Sequence, residues 1–204
     1  MSIPRRQQSD RTAATRNSVL DATVELLIEK GYAGTSTRLA AERAGVSLGA
    51  LQHHFRTKAE LSVEAMRYVS KRLAEEFVAA APPADDPLDR FGSILDRLFV
   101  VFKGPTFAAA VEINLASRTD PELQKPVRDL NLDIDHIILG SARELLPDLA
   151  DHPEFEAVLQ TSVSAVRGLA IATMDPITEV DGLWPMIRGQ LLGIVDKLVE
   201  REST

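Results

Sequence analysis

The sequence predicts an all-α fold of about nine helices, with a small N-terminal domain followed by a larger C-terminal one. Apolar residues recur at spacings of three and four in almost every segment, as they do on one face of a helix. No convincing segment alternates apolar and polar residues with the period of two that is typical of a strand. Breaks that contain glycine or proline divide the 204 residues into pieces of helical length.

The first four pieces are predicted to be helices over about 10–31, 36–44, 47–55 and 58–80. The first helix has an apolar face and ends at a glycine that follows a lysine, a typical helix stop. That face comprises Val19, Ala22, Thr23, Leu26 and Leu27. The two short helices each follow a serine, which is a good N-cap.

The stretch AAAPPADDP, residues 79–87, ends the fourth helix and marks a boundary, because consecutive prolines cannot continue a helix. Further helices are predicted over about 87–103, 105–117, 120–146, 153–174 and 182–201. We assign residues 1–60 to an N-terminal domain and residues 61–204 to a C-terminal domain. The fourth helix, about 58–80, connects them.

The net charge of −7 is unevenly distributed along the chain. Residues 1–60 carry +3, whereas residues 61–204 carry −10. A basic N-terminal part on an acidic body indicates that only the N-terminal part meets an anionic partner. Chance variation in surface charge is the alternative.

Several classes of protein and site are disfavoured by composition. The chain has no cysteine, so it has neither disulfides nor thiolate ligands. No run approaches eighteen apolar residues, which predicts no transmembrane helix and no membrane partner. The N-terminal stretch MSIPRRQQSDRTAATR has no apolar core of a secretory signal. We therefore expect a soluble cytoplasmic protein.

The two short helices are joined by AGVS, residues 44–47, in the manner of a helix-turn-helix. Gly45 allows a positive φ, Val46 places an apolar side chain in the turn, and Ser47 caps the next helix. Leu39, Ala40 and Ala44 of the second helix, with Leu51 and Phe55 of the third, are predicted to pin the pair onto the first helix.

The outward face of the third helix is small at its start and polar beyond, as a helix that enters the major groove requires. Helix N-termini and nearby cations suit phosphate oxygens. The expected DNA contacts are Ser36, Thr37, Arg38, Ser47, Leu48, Gly49, Ala50, Gln52, His53 and Lys58. Further cationic contacts are expected from Arg5, Arg6, Arg11 and Arg16.

Residues 31–61, GYAGTSTRLAAERAGVSLGALQHHFRTKAEL, resemble the DNA-binding domain of the tetracycline-repressor (TetR) family of transcriptional regulators. The resemblance covers about 50 residues once the preceding helix is included. It implies an N-terminal helix-turn-helix domain, a C-terminal helical domain for ligand binding and dimerisation, and a homodimer formed through the last two helices.

Two positions depart from the pattern of that family. Gln52 stands where a tyrosine usually contacts the DNA backbone, and Leu48 stands where a basic residue is frequent. Glutamine can still donate to a phosphate, and leucine can contact a thymine methyl group. DNA binding is therefore still expected, with altered contacts at these two positions.

A metal site and an enzyme active site are both disfavoured. His53 and His54 are adjacent and so point about 100° apart on a helix, which does not suit one shared metal ion. The resemblance implies instead that His54 packs inward and His53 faces DNA. The sequence lacks the common catalytic motifs. We expect no metal, no cofactor and no enzymatic activity.

The C-terminal domain is predicted to bind a largely apolar small molecule with one anionic or hydrogen-bonding end. Candidate lining residues are large apolar side chains and polar residues that interrupt apolar faces. They are Phe91, Phe99, Phe102, Glu112, Asn114, Arg167 and Met174. Glu112 and Arg167 are predicted to pair or to bind opposite ends of the ligand. Alternatively, the apolar residues simply pack in the core, and each charged residue reaches solvent or a nearby backbone carbonyl.

Small residues on the last two helices predict close helix packing between two subunits. They are Ala165, Gly168, Ala170, Ala172, Gly189 and Gly193. Two-fold symmetry suits a palindromic operator on double-stranded DNA. We therefore expect a homodimeric, ligand-responsive transcriptional regulator. We favour a repressor over an activator. A ligand-binding protein of this fold with lost or altered DNA binding, and a helical enzyme, are the rival interpretations.

Overall fold

A computed structural model describes residues 5–81, 86–174 and 182–202, and the side chains within 12–81, 86–174 and 182–198. These residues form nine helices and no strand, which confirms the predicted fold class. The helices are α1 (Arg5–Gly34), α2 (Thr37–Ala44), α3 (Leu48–His54), α4 (Lys58–Ala79), α5 (Pro87–Phe102), α6 (Pro105–Ser117), α7 (Pro121–Leu145), α8 (Phe155–Ala172) and α9 (Leu183–Glu202).

The chain divides into two compact units that do not coincide with the division expected at residue 60. Unit 1 comprises Met1–Arg72 and Ala109–Ile134, and unit 2 comprises Leu73–Ala108 and Asp135–Thr204. The helices α4, α6 and α7 each contribute residues to both units. Glycine and proline breaks in the sequence mark the ends of helices. They could not indicate unit boundaries that lie within helices.

Helix α1 breaks at Gly31, where the sequence predicts its end. The backbone there is non-helical, with φ 67° and ψ 178°, and one further turn reaches Gly34. Only glycine adopts this region readily, because it has no Cβ. At the other end α1 starts at Arg5, earlier than the expected Asp10.

Most of the other helix starts follow from their caps. The Asp86 carboxylate accepts hydrogen bonds from the amides of Leu88 and Asp89, ahead of Pro87 in the first turn of α5. Helix α8 starts at Phe155 instead of the expected Pro153, because the Phe155 N–H bonds to the His152 carbonyl in a preceding turn.

Each unit has its own apolar core. In unit 1 the predicted face of α1 is buried, including Val19 and Leu26. In unit 2 the core draws on α5, α7, α8 and α9; its buried residues are Phe91, Leu95, Phe99, Phe102, Ala142, Leu146, Leu149, Phe155, Val163, Val166, Leu169, Ala170, Leu191 and Val195. Ala170, predicted to lie at a subunit interface, is fully buried here, because Gly168 and Ile171 occupy the outward face of α8.

Among the described helices, none alone is long and apolar enough to cross a membrane. Helices α5 and α6 meet that requirement only when taken together, and they are bent by 64° at the break between them.

Candidate nucleic-acid interface

The turn between α2 and α3 closes through backbone hydrogen bonds and one side-chain cap. Gly45 has φ 68° and ψ 28°, a left-handed conformation that suits the residue after a helix. The Gly45 N–H bonds to the Glu42 carbonyl at 3.3 Å, and the Val46 N–H bonds to the Ala41 carbonyl at 3.0 Å. The Ser47 hydroxyl accepts the Ala50 N–H at 3.1 Å and so starts α3. The turn chemistry predicted from AGVS is confirmed.

The apolar residues beneath this turn hold α3 in place. Leu51 is fully buried and Phe55 is 2% exposed, as the sequence predicts. On α2 the buried residues are Ala40 and Ala41. The prediction that Leu39 anchors α2 is wrong: its side chain is exposed, because the buried face of α2 passes through Ala40 and Ala41.

The remaining residues of α3 form a continuous exposed face, which we call the α3 face: Leu48, Gly49, Ala50, Gln52 and His53. A Cβ added to Gly49 would meet no atom within 4 Å, so the backbone here is open to a close approach. Small residues at the start and hydrogen-bonding side chains beyond give this face the character of a base-reading surface. His54 is half-buried and directed toward Phe55, with ring centroids 6.1 Å apart.

The start of α2 supplies the second group of predicted contacts. The Ser36 hydroxyl caps α2 by accepting the Leu39 N–H at 3.2 Å, and Thr37 is half-buried. Arg38 projects outward, with 81% of its side chain exposed, and pairs with Glu42 at 3.0 Å on the same helix. An exposed pair of this kind is weak, so it leaves the Arg38 guanidinium available to a phosphate.

The predicted cations near α1 and α4 are already engaged. The Arg16 guanidinium pairs with Glu64 at 2.8 Å and lies 5.6 Å from the Phe55 ring centroid. The Lys58 ammonium lies 4.1 Å from the Tyr32 ring centroid and donates to the Ala33 carbonyl at 3.3 Å. The side chains of Arg5, Arg6 and Arg11 lie outside the described residues.

Burial at this contact changes the pKa of both partners. Desolvation lowers the pKa of Lys58, and the carboxylates of Glu112 and Asp120 act against that effect. Desolvation also raises the pKa of the Tyr32 phenol, and the charges of Asp120 and Glu122 raise it further.

Comparison with known proteins relates this geometry to a family. The family model described as "Bacterial regulatory proteins, tetR family" matches residues 19–65. The chain is 32% identical over 170 residues to an uncharacterized HTH-type transcriptional regulator of Mycobacterium tuberculosis (strain ATCC 25618 / H37Rv), covering 81% of this chain and 86% of that protein. The chain belongs to the TetR family of transcriptional regulators.

A further regulator and two solved structures are also similar to this chain. The HTH-type transcriptional regulator CymR of Pseudomonas putida is 29% identical over 181 residues, 85% of this chain and 86% of CymR. A regulator from Rhodococcus sp. assigned to the TetR family has the same fold, with a TM-score of 0.68, 20% identity, and coverage of 91% of this chain and 98% of that one. The multidrug binding protein EbrR, solved in complex with proflavin, has a TM-score of 0.57, 22% identity, and coverage of 90% and 99%.

Family membership identifies the chain as a DNA-binding regulator and not an enzyme. In the described part of this TetR-family regulator, no three His, Asp or Glu side chains come together as a metal site requires.

Glu112 and Arg167, predicted to pair or to bind opposite ends of a ligand, each have a partner within their own unit. Glu112 belongs to unit 1, where its carboxylate accepts the Tyr32 N–H at 2.7 Å and the Ala33 N–H at 3.5 Å. Arg167 belongs to unit 2, where it lies 3.5 Å from the Asp135 carboxylate and 5.5 Å from the Phe102 ring centroid. Each charge interrupts an apolar stripe, but each has its own local partner.

The other predicted pocket residues are also divided between the units. Asn114 of unit 1 accepts a hydrogen bond from the Asn131 amide at 2.8 Å. In unit 2, Phe91, Phe99 and Phe102 are buried in the core, whereas Met174 is 42% exposed. Within unit 2, the structure brings the three phenylalanines into one core, with Arg167 beside Phe102.

One apolar void lies in unit 2 against Phe91, between the segment that follows α7, the first turns of α8 and the last turns of α9. Its volume of about 10 Å³ is room for about one water molecule. It is lined by Phe91, Leu146, Leu149, His152, Phe155, Val158, Leu159, Val195 and Leu198.

Sequence reasoning missed a chain of ion pairs within unit 1 that joins α1, α4 and α7. Arg16 pairs with Glu64, Glu64 pairs with Arg67 at 3.3 Å, and Arg67 pairs with Asp133 at 2.6 Å. The spacing of Glu64 and Arg67, three residues apart on a helix, was a usable signal for the middle pair. Nothing local in the sequence indicates the outer two.

Proposed function

We propose that this protein is a cytoplasmic repressor that binds a palindromic operator as a homodimer and is released by a small-molecule effector. The α3 face supports this most strongly, because it presents small and hydrogen-bonding side chains on a helix held from below by Leu51 and Phe55. In the proposed complex, α3 enters the major groove and the N-termini of α2 and α4 meet the backbone.

Individual roles follow from side-chain chemistry. Gln52 and His53 donate to base edges or phosphate oxygens, and Leu48 contacts a thymine methyl group. Gly49 and Ala50 let the α3 backbone approach the bases closely. Phosphate contacts are assigned to Ser36, Thr37, Arg38, Ser47 and Lys58.

Replacing Gln52 and His53 together by alanine is expected to weaken operator binding by about thirtyfold or more, since two contacts are lost and each good base contact contributes about 1–3 kcal/mol. The measurement is fluorescence anisotropy with a duplex that the wild-type protein selects from a randomised library. Gln124→Ala is the matched control, because Gln124 is exposed on α7 and is not among the residues assigned to DNA. Unchanged affinity in the double variant would reject this contact assignment.

Salt dependence distinguishes the repressor from the rival interpretation, a protein of this fold that has lost or altered DNA binding. Gln52 and Leu48, which depart from the family pattern, favour the rival. A DNA-binding protein loses affinity steeply as salt rises, because phosphate contacts release counterions. If the wild-type protein selects no duplex, or binds every duplex alike, the rival interpretation stands.

The effector site is assigned to unit 2, around the aromatic residues beside Arg167. The Phe102 and Phe107 rings lie 4.8 Å apart, with the Arg167 guanidinium next to Phe102. This arrangement suits a largely apolar molecule with one anionic or hydrogen-bonding end. EbrR, a protein of the same fold, holds proflavin. To release DNA, the effector must bind more tightly to the pose that does not fit the operator.

Trp184, the one tryptophan of the chain, provides a direct readout of effector binding. Its ring stacks on Phe99 with centroids 4.4 Å apart, and its indole N–H donates to Asp96 at 3.0 Å. A compound that enters unit 2 is expected to change Trp184 fluorescence and to lower operator affinity over the same concentration range. A compound that changes the fluorescence and leaves operator affinity unaltered is bound without being an effector.

The homodimer is assigned to the outward faces of α8 and α9. Ile171 and Met186 are 49% and 55% exposed, although they are large and apolar. Gly168, Gly189 and Gly193 accompany them, and a Cβ on any of the three would meet open space. Large apolar side chains beside glycines suit the close packing of two helix pairs.

A further inference from the structure

We infer that Glu112 of α6 is a positioning residue for operator binding, because its carboxylate completes the junction between α1 and α2. This inference rests on the proposed operator binding. Glu112 is half-buried and lies 80 residues from Tyr32 in sequence, yet both belong to unit 1.

The junction needs an outside acceptor because Gly31 leaves the helical path. With φ 67° and ψ 178° at Gly31, the next amides cannot all reach the carbonyls of the preceding turn. A buried N–H without an acceptor is costly. The Glu112 carboxylate accepts the Tyr32 N–H at 2.7 Å, a charge-assisted hydrogen bond, and lies 3.5 Å from the Ala33 nitrogen.

The shape of the junction is matched to this carboxylate. A Cβ on Gly31 would lie 2.5 Å from the Glu112 Oε2 atom, so a larger residue there would displace the carboxylate from the Tyr32 N–H. The other polar groups of the junction are also occupied. The Gly31 carbonyl accepts the Thr35 hydroxyl at 2.8 Å, and the Ala33 carbonyl accepts the Lys58 ammonium at 3.3 Å.

The junction in turn determines where α2 begins. The Thr35 N–H bonds to the Tyr32 carbonyl at 3.2 Å, and the next residue, Ser36, is the N-cap of α2. Tyr32 also carries the ring over which Lys58 lies. Loss of the Glu112 contact therefore releases both the start of α2 and the Tyr32–Lys58 contact, without removing any group assigned to DNA.

Glu112→Ala tests the inference by whether it raises or lowers the affinity for the operator. Removing a negative charge from a DNA-binding unit raises DNA affinity if charge alone matters. Loss of a positioning contact lowers it instead, by about tenfold, the worth of one charge-assisted hydrogen bond. The slope of affinity against salt is expected to become shallower as well, because Lys58 and the start of α2, both assigned to phosphates, lose their position.

Two variants separate the hydrogen bond from the charge. Glu112→Gln keeps an amide oxygen that can accept the Tyr32 N–H, so it is expected to retain most of the operator affinity. Glu122→Ala removes the same charge from unit 1, near the same tyrosine, without breaking a backbone contact. It is expected to bind DNA at least as tightly as the wild type.

The probe is the labelled duplex selected by the wild-type protein, and amide hydrogen exchange at Tyr32 by NMR is the structural readout. Faster exchange at Tyr32 in Glu112→Ala, together with weaker binding and an intact melting transition, supports the inference. Unchanged Tyr32 exchange, or operator affinity equal to or above that of the wild type, overturns it. If the wild-type protein selects no duplex, the proposed function itself fails, and that outcome is distinct.

Discussion

Phe55→Ala is expected to lower the free energy of unfolding by about 3–5 kcal/mol, the usual range for truncating a buried phenylalanine. The Phe55 side chain is 2% exposed and closes the core beneath the end of α3. The Arg16 guanidinium, 5.6 Å from its ring centroid, would lose an aromatic neighbour. Urea unfolding followed by circular dichroism measures the loss, and operator binding is expected to disappear with it.

Leu48→Ala is the matched variant for that experiment. Leu48 lies at the start of the same helix but is 39% exposed. Its truncation is expected to change stability by less than about 0.5 kcal/mol, as for other surface positions, while weakening operator binding. If Phe55→Ala unfolded at the same urea concentration as Leu48→Ala, Phe55 would not anchor α3.

Ile171→Asp is expected to dissociate the homodimer and to remove most operator binding. Ile171 is exposed on α8, so the monomer tolerates aspartate there. In a two-fold interface, both copies would place an unpaired carboxylate in an apolar contact. We expect the dimer dissociation constant to rise by about a hundredfold or more, since an uncompensated buried charge costs about 3–5 kcal/mol. Sedimentation velocity over a concentration series measures this.

Val100→Asp provides the control for a charge on an exposed apolar position. Val100 is 70% exposed on α5, outside the assigned interface. Its variant is expected to sediment as the wild type does. If Val100→Asp dissociated the dimer and Ile171→Asp did not, the dimer interface would not lie on α8 and α9.

The parts of the structure that the sequence predicts well are those decided by local chemistry. A left-handed glycine at 45, a serine cap at 47 and buried residues at 51 and 55 each depend on neighbours within one turn or on helical period. These features also carry the resemblance to the TetR family. The α3 face follows directly, because the buried residues leave only one side of a short helix exposed.

The same reasoning could not identify contacts between residues that are far apart in the sequence. Helical period indicates that Glu112 and Arg167 interrupt apolar faces, but it does not indicate what each one meets. Glu112 meets the Tyr32 N–H and Arg167 meets the Asp135 carboxylate, and both partners are distant in sequence. The prediction that Leu39 is buried was wrong for a more local reason: the buried residues of α2 are Ala40 and Ala41, the next two positions along the helix.

Unit 1 has consequences for the order of folding, because it is assembled from two separate stretches of chain. The acceptor for Tyr32 and one of the two acids that pair with Arg67, Asp133, come from residues after 108. During synthesis, the DNA-binding part therefore emerges well before the residues that complete it. A fragment ending after α4 would lack both contacts. We expect that the helix-turn-helix of this protein cannot be transferred alone to another protein with full stability; α6 and the first half of α7 must accompany it.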